Sequence, residues 1–372
     1  MDDALIDAAG TRHTPAGPGA RIACLVPSIT ELICALALAP QLVARTGFCI
    51  HPADVVRRIP KVGGTKDVDL EKLRALAPTH VVLNMDENTR ATAEALAAFV
   101  PHLVVTHPNA PEDNLALYRL LGGLFGREGE AEVLCDALSA ALDAARRAAA
   151  AWPVERVLYL IWKDPWMTVA PDTYIARTLA TVGWATVGTE GADARVASAE
   201  DRGAAFSRDR LLVPSRDGPA APREHERTLL PADGSTSPPQ DWRTLPPKDP
   251  RPVPTVGAAR YPQVDLRAAA AQADLVLLSS EPYRFRERHV AELRRALAPP
   301  AQGVVGEDRA AGEQGAAGGQ GAARRGARAG PRVALIDGEM TSWYGSRAIA
   351  GLAYLPRLRA ALALALAHAQ AV

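Results

Sequence analysis

The chain has 372 residues, with 42 Lys+Arg against 42 Asp+Glu and 48% hydrophobic residues. That length suggests two globular units and excludes a single small module. Zero formal charge leaves no basic face to neutralise phosphates, so nucleic-acid binding loses its electrostatic basis, and small-molecule or protein partners and a monomer are expected. Cys24, Cys34, Cys49 and Cys135 form no CxxC pair, which disfavours a zinc ribbon or disulfide scaffold and fits a reducing compartment.

The chain opens on Asp2, Asp3 and Asp7, with no basic residue before Arg12 and no apolar run behind it, unlike a secretory signal. As written it reads as cytoplasmic, and as periplasmic if the true start lies elsewhere. No apolar stretch approaches the roughly 20 residues a bilayer span needs. Residues 1–20 are expected to be disordered.

From Arg21 onward short apolar runs alternate with helical patterns. Arg21 to Val26 reads as a strand feeding a helix at Pro27, where Ser28 and Glu31 have the spacing of a capping box. Leu42 to Thr46, Val81 to Asn84 and His102 to Thr106 read as further strands, and Asp69 to Leu76 and Thr89 to Phe99 as helices. Short buried strands interleaved with helices imply parallel βα units. Residues 112–151 are rich in Ala, Leu and Glu and predict a short helix, then a long one from about Glu130 to Ala151, a strut between two lobes. The alternation then restarts with Arg156 to Trp162, Thr173 to Val182, Ala268 to Gln272, Leu275 to Ser279, Phe285 to Leu297, Arg332 to Ile336 and a final helix from about Ser346 to Ala367. The expected organisation is an amino-terminal α/β lobe over 21–116, a linking helical segment over 117–152 and a carboxy-terminal α/β lobe over 153–372. Within the last, 196–256 holds 11 of the 30 prolines and 300–330 holds 9 of the 29 glycines, so both are expected to be disordered insertions.

In open parallel sheets ligands bind beyond the carboxyl ends of the strands. Phe48, Trp162, Trp166, Tyr283, Phe285, Trp343 and Tyr344 fall in or just after those ends. Two readings stand: a ring-lined cleft for a bulky, rigid, partly apolar ligand, or a plug between the lobes; the cleft accounts for more of them together. There is no Gly-x-Ser-x-Gly elbow and no Walker loop, and Val62-Gly63-Gly64-Thr65-Lys66 reads as a tight turn. Cys49-Ile50-His51 supplies a single short pair of ligands, too few for a held zinc; His51 is a loop histidine, or the donor of one axial bond to a metal already caged in a ligand. In Asp86-Glu87-Asn88 the spacing favours Asn88 as a helix N-cap with the acids near the dipole.

The order of Val26-Pro27-Ser28-Ile29-Thr30-Glu31, Gly47-Phe48-Cys49-Ile50-His51-Pro52 and Ala77-Pro78-Thr79-His80-Val81-Val82 resembles the first lobe of the iron-siderophore and vitamin B12 periplasmic-binding proteins. Trp162-Lys163-Asp164-Pro165-Trp166, Ser279-Ser280-Glu281-Pro282-Tyr283 and Trp343-Tyr344-Gly345-Ser346-Arg347 resemble the second lobe of the helical-backbone metal receptors, a cobalamin-binding-protein-like subgroup. The resemblance implies two parallel-sheet α/β lobes joined by one long backbone helix. It implies capture of a metal chelate, a cobalamin or a ferric siderophore, with no tightly bound cofactor, and hand-over to an ABC importer permease. By position it puts Pro27, Ser28, Phe48, His51 and Lys66 on one wall of the cleft and Trp162, Trp166, Tyr283, Trp343 and Tyr344 on the other. It gives Arg347 to a ligand carboxylate or amide and Glu87 to permease docking. The rival class is a cytosolic chelatase-like or chelate-processing enzyme using His51 with Glu87 or Glu339.

Overall fold

The computed structural model describes residues 5–189, 260–298 and 330–371. The predicted insertion 196–256, and all of 300–330 but its last residue, lie outside the described residues.

Among the described residues, eight strands form two four-stranded parallel sheets. In the first, β1 (Ile22–Cys24), β2 (Leu42–Arg45), β3 (His80–Asn84) and β4 (His102–Thr106) run in the order β2-β1-β3-β4. In the second, β5 (Glu155–Leu160), β6 (Trp184–Thr186), β7 (Leu275–Ser279) and β8 (Arg332–Ile336) run β6-β5-β7-β8. The same topology thus occurs twice. Every residue of β3 and of β7 is buried, as expected of strands covered by helices on both faces.

The first lobe carries α1 (Pro27–Ala35), α2 (Ala53–Val56), α3 (Leu70–Ala75) and α4 (Arg90–Ala97). Then α5 (Asp113–Phe125) leads into the long α6 (Glu128–Ala149), about 33 Å at 1.5 Å per residue. Ala131, Cys135, Leu138, Leu142 and Ala145 make its buried stripe, at alternating spacings of four and three, and acids in its first turn with arginines in its last complement its dipole. Gly122 lets α5 lie close on it: a Cβ there would stand 2.5 Å from that of Ala131. The second lobe carries α7 (Tyr174–Ala180), α8 (Leu266–Ala270), α9 (Glu287–Ala296), α10 (Glu339–Ser342) and α11 (Arg347–Ala371).

Three expectations are corrected. First, Ser28 is not an N-cap: α1 starts at Pro27, two residues before the Ile29 that such a cap implies, the preset φ of proline suits a first helical position, and no side chain caps it. Second, Asn88 is not the cap of α4. Thr89 caps it by accepting from the Thr92 N–H, whereas buried Asn88 accepts from the Asn84 N–H and donates to the Leu25 and Thr65 carbonyls. Third, residues 5–20 are ordered. The buried Asp7 carboxylate accepts from the N–H groups of Ala9, Thr11 and Val105 and pairs with His13 at 3.1 Å, pinning the segment to the edge of β4.

The final helix is, by length and composition, long and apolar enough to cross a membrane, contrary to the expectation of no such stretch. Its first half serves the core: Leu352 and Leu355 are buried, and buried Arg359 donates to the Val182 and Pro153 carbonyls.

Candidate functional site

The carboxyl ends of both sheets point at each other, and the loops that leave them meet. Gly345, on the loop between α10 and α11, lies against α1. Its N–H donates to the Asn114 side chain at 2.6 Å, and its carbonyl accepts from the Tyr118 hydroxyl at 2.8 Å. At φ +77° a Cβ there would stand 3.1 Å from the Ser28 carbonyl and 3.2 Å from Leu32 Cβ, so the close approach requires glycine. Tyr344 is thereby buried between the lobes and donates its hydroxyl to the Glu87 carboxylate. Burial pushes the Glu87 pKa up to about 7, with further repulsion from Asp86 and Glu281, and it pushes the Tyr344 phenol well up too. Glu87 therefore faces the other lobe.

Beside this strap lies a chain of charged groups. Arg347, on the first turn of α11, grips Glu31 of α1 with two bonds of 2.8 Å, donates to Glu339 at 2.5 Å and lies 4.8 Å over the Trp343 ring. Glu31 thus serves the interface rather than a capping box, and Arg347 already holds two carboxylates. His51 Nε2 reaches the same Glu339 at 3.2 Å and meets the Trp343 ring edge-on at 5.5 Å. The Trp343 indole N–H and the Ser342 hydroxyl both donate to Glu281, at 2.9 and 2.6 Å. Burial raises the Glu281 pKa despite these donors, and Glu339 and Asp337 add to the rise. A third bridge was not foreseen: Arg260 donates to both oxygens of Asp86 and to Asn109, each at 2.8 Å.

The predicted rings divide into two groups. Trp343 and Tyr344 lie between the lobes with His51, Ser28 and Arg347. Trp162, Trp166 and Tyr283 gather within their own lobe. Tyr283 meets Trp162 at 5.7 Å and Phe285 at 4.6 Å, and Trp166 stacks on Phe285 at 6.1 Å. Phe48 is 63% exposed and leans over the Gly63-Gly64 turn, near the exposed Lys66. Pro27 stands half-buried at the head of α1. Cys49 and His51 do not share a site: the Cys49 thiol is buried against Thr30 and Thr46 while His51 turns to Glu339. Among the described residues no group of three or more His, Cys, Asp or Glu is placed to hold a metal ion.

Residue patterns missed the carboxylates Glu31 and Glu281 as interface groups, and Asn114, which is fully buried and ties Gly345 to Tyr174; His51 with Glu339 was within their reach. The Trp-Tyr-Gly tripeptide was the available signal, because a tyrosine beside a glycine in a strand-end loop marks a close backbone approach.

Two parallel α/β lobes on one long helix, with their strand ends opposed, define a two-lobed ligand-binding protein. The family model for periplasmic binding proteins matches residues 22–208, just over half of the chain, and the chain belongs to that family, as its motifs implied; it is a binding protein and not an enzyme. A search of curated proteins finds no match. The fold is similar to the vitamin B12 binding protein BtuF of Vibrio cholerae, with a TM-score of 0.56 at 12% identity over 91% of this chain and 96% of that one. It is similar to the heme-binding protein RhuT of Roseiflexus sp. RS-1, at 0.56 and 17% over 91% and 97%. It is also similar to the heme-binding protein HutB of Vibrio cholerae, at 0.54 and 15% over 91% and 98%.

Proposed function

We propose that the chain is a monomeric receptor for a metal chelate, a corrinoid or a ferric chelate, held between the lobes and passed to an ABC-type importer. The observation that carries this reading is the contact of His51 with Trp343 and Glu339 across the lobe boundary, so that His51 from one lobe and Arg347 from the other converge on one ring. A ligand entering there parts His51 from Glu339 and Tyr344 from Glu87, so each freed group exchanges its partner for one on the ligand. Exchange of this kind leaves little unpaired on either side, which keeps the cost of opening small. Trp343 then offers a flat face to a macrocycle, and freed His51 Nε2 stands ready as an axial donor to its metal. That solved proteins of this fold bind vitamin B12 or heme supports the ligand class. An importer as partner calls for a receptor outside the inner membrane, a location that subcellular fractionation tests.

Absorbance titration with cobinamide, cobalamin, hemin and ferric siderophores is the test. Saturable binding by at least one at micromolar concentration is expected, with His51→Ala weakening it and shifting the bound chelate's spectrum. Failure of all of them to bind would overturn the reading.

A further inference from the structure

Resting on that reading, we propose that the inter-lobe surface selects chelates whose rim carries amides or positive charge, and rejects those whose rim carries carboxylates. The groups at this surface are unequal in sign. Glu31, Glu87, Glu281, Asp337 and Glu339 bring carboxylates to this surface. Among the described residues two guanidinium groups cross the lobe boundary, and both are committed: Arg347 is shared between Glu31 and Glu339, and Arg260 serves Asp86 and Asn109. The other donors are committed as well: the Trp343 indole and the Ser342 hydroxyl serve Glu281, and Tyr344 serves Glu87. Of the remaining cations on the strand-end loops, Lys163 pairs with Glu292 at 2.6 Å, while Lys66 and Arg284 stand exposed.

A guest that parts the lobes therefore meets acceptors in surplus. An amide rim supplies N–H groups to these carboxylates, whereas a carboxylate rim sets like charges against them in a partly dry gap, where repulsion is several times stronger than in water. The raised pKa of Glu281, owed to burial and then to Glu339 and Asp337, shows the same crowding of negative charge without a guest.

The decisive comparison uses one macrocycle in two charge forms: cobinamide, whose rim is amides, and cobyrinic acid, the same corrin ring with carboxylates. Tryptophan fluorescence quenching on the intact chain at pH 7.5 and low salt should show cobinamide binding at least about tenfold tighter, with the ratio shrinking as salt rises. Glu281→Gln, which keeps the acceptor for Trp343 and Ser342, should narrow the ratio as well. Equal or tighter binding of cobyrinic acid, or hemin with its two carboxylates outbinding cobinamide, overturns the charge inference and leaves the receptor reading standing. Binding of none of the three, nor of a ferric siderophore, overturns the inference together with the reading on which it rests. Should Glu281→Gln fail to fold, the ligand pair on the unmodified chain still decides.

Discussion

Replacing Glu87 by Gln should make the protein more stable at alkaline pH and leave it unchanged in acid. In the folded chain Glu87 is enclosed between the lobes, and its pKa rises from 4.5 to about 7, chiefly through burial, against the opposing pull of the Tyr344 hydroxyl. Between those two values the folded chain keeps a proton that the unfolded chain has lost. Stability therefore falls as pH climbs through this window and levels off above it. A rise of that size corresponds to roughly 3 kcal/mol at pH 8, the penalty for holding a buried carboxylate ionised. Glutamine carries no charge at any pH and keeps an oxygen for Tyr344 to donate to. Urea denaturation of both proteins at several pH values should give equal stabilities near pH 4 and an advantage of about 3 kcal/mol to Glu87→Gln at pH 8. Other titrating groups, Glu281 among them, are present in both chains and largely cancel in the difference. Equal stability at pH 8, or a difference that does not change with pH, would refute the reasoning.

Two further substitutions test the frame around the site. Gly345→Ala should cost about 2–3 kcal/mol, since it combines a left-handed φ of +77° with contacts of 3.1 and 3.2 Å to the Ser28 carbonyl and Leu32. Gly126→Ala has φ +66° but nothing within 4 Å, and should cost only about 1 kcal/mol; equal losses in urea midpoints would show that the strap does not press on α1. Asp7→Asn should destabilise the first lobe by about 2 kcal/mol, because an amide can satisfy only part of the three N–H groups and the histidine that the carboxylate holds. An unchanged midpoint would mean that the amino-terminal segment is not anchored there.

The scaffold was legible because its signals are local. β4, β7 and β8 match the predicted bounds, and Asp69, Thr89 and Thr173 appear as helix caps where short polar residues precede apolar patterns. The short amino-terminal segment was misread because its order comes from one carboxylate, Asp7, finding the backbone of a strand far away in sequence. The same limit applies to the site. Ring-bearing loops at strand ends could be found from spacing, and Trp343, Tyr344 and His51 do come together. What each side chain does there depends on partners in the other lobe. Arg347 looked like a free fork because nothing in its neighbourhood names Glu31, and Glu87 looked like a surface acid because Tyr344 lies 257 residues away.

The strap and the arginine that join the lobes come from the end of the chain, and the groups they seize come from its beginning. A ribosome therefore exposes Glu31 and Glu87 long before Arg347 and Tyr344 exist. During synthesis this latch cannot form until residues 344–347 have been made. A product cut short before β8 could complete its first sheet and keep Arg260, yet lack both the strap and the Arg347 fork.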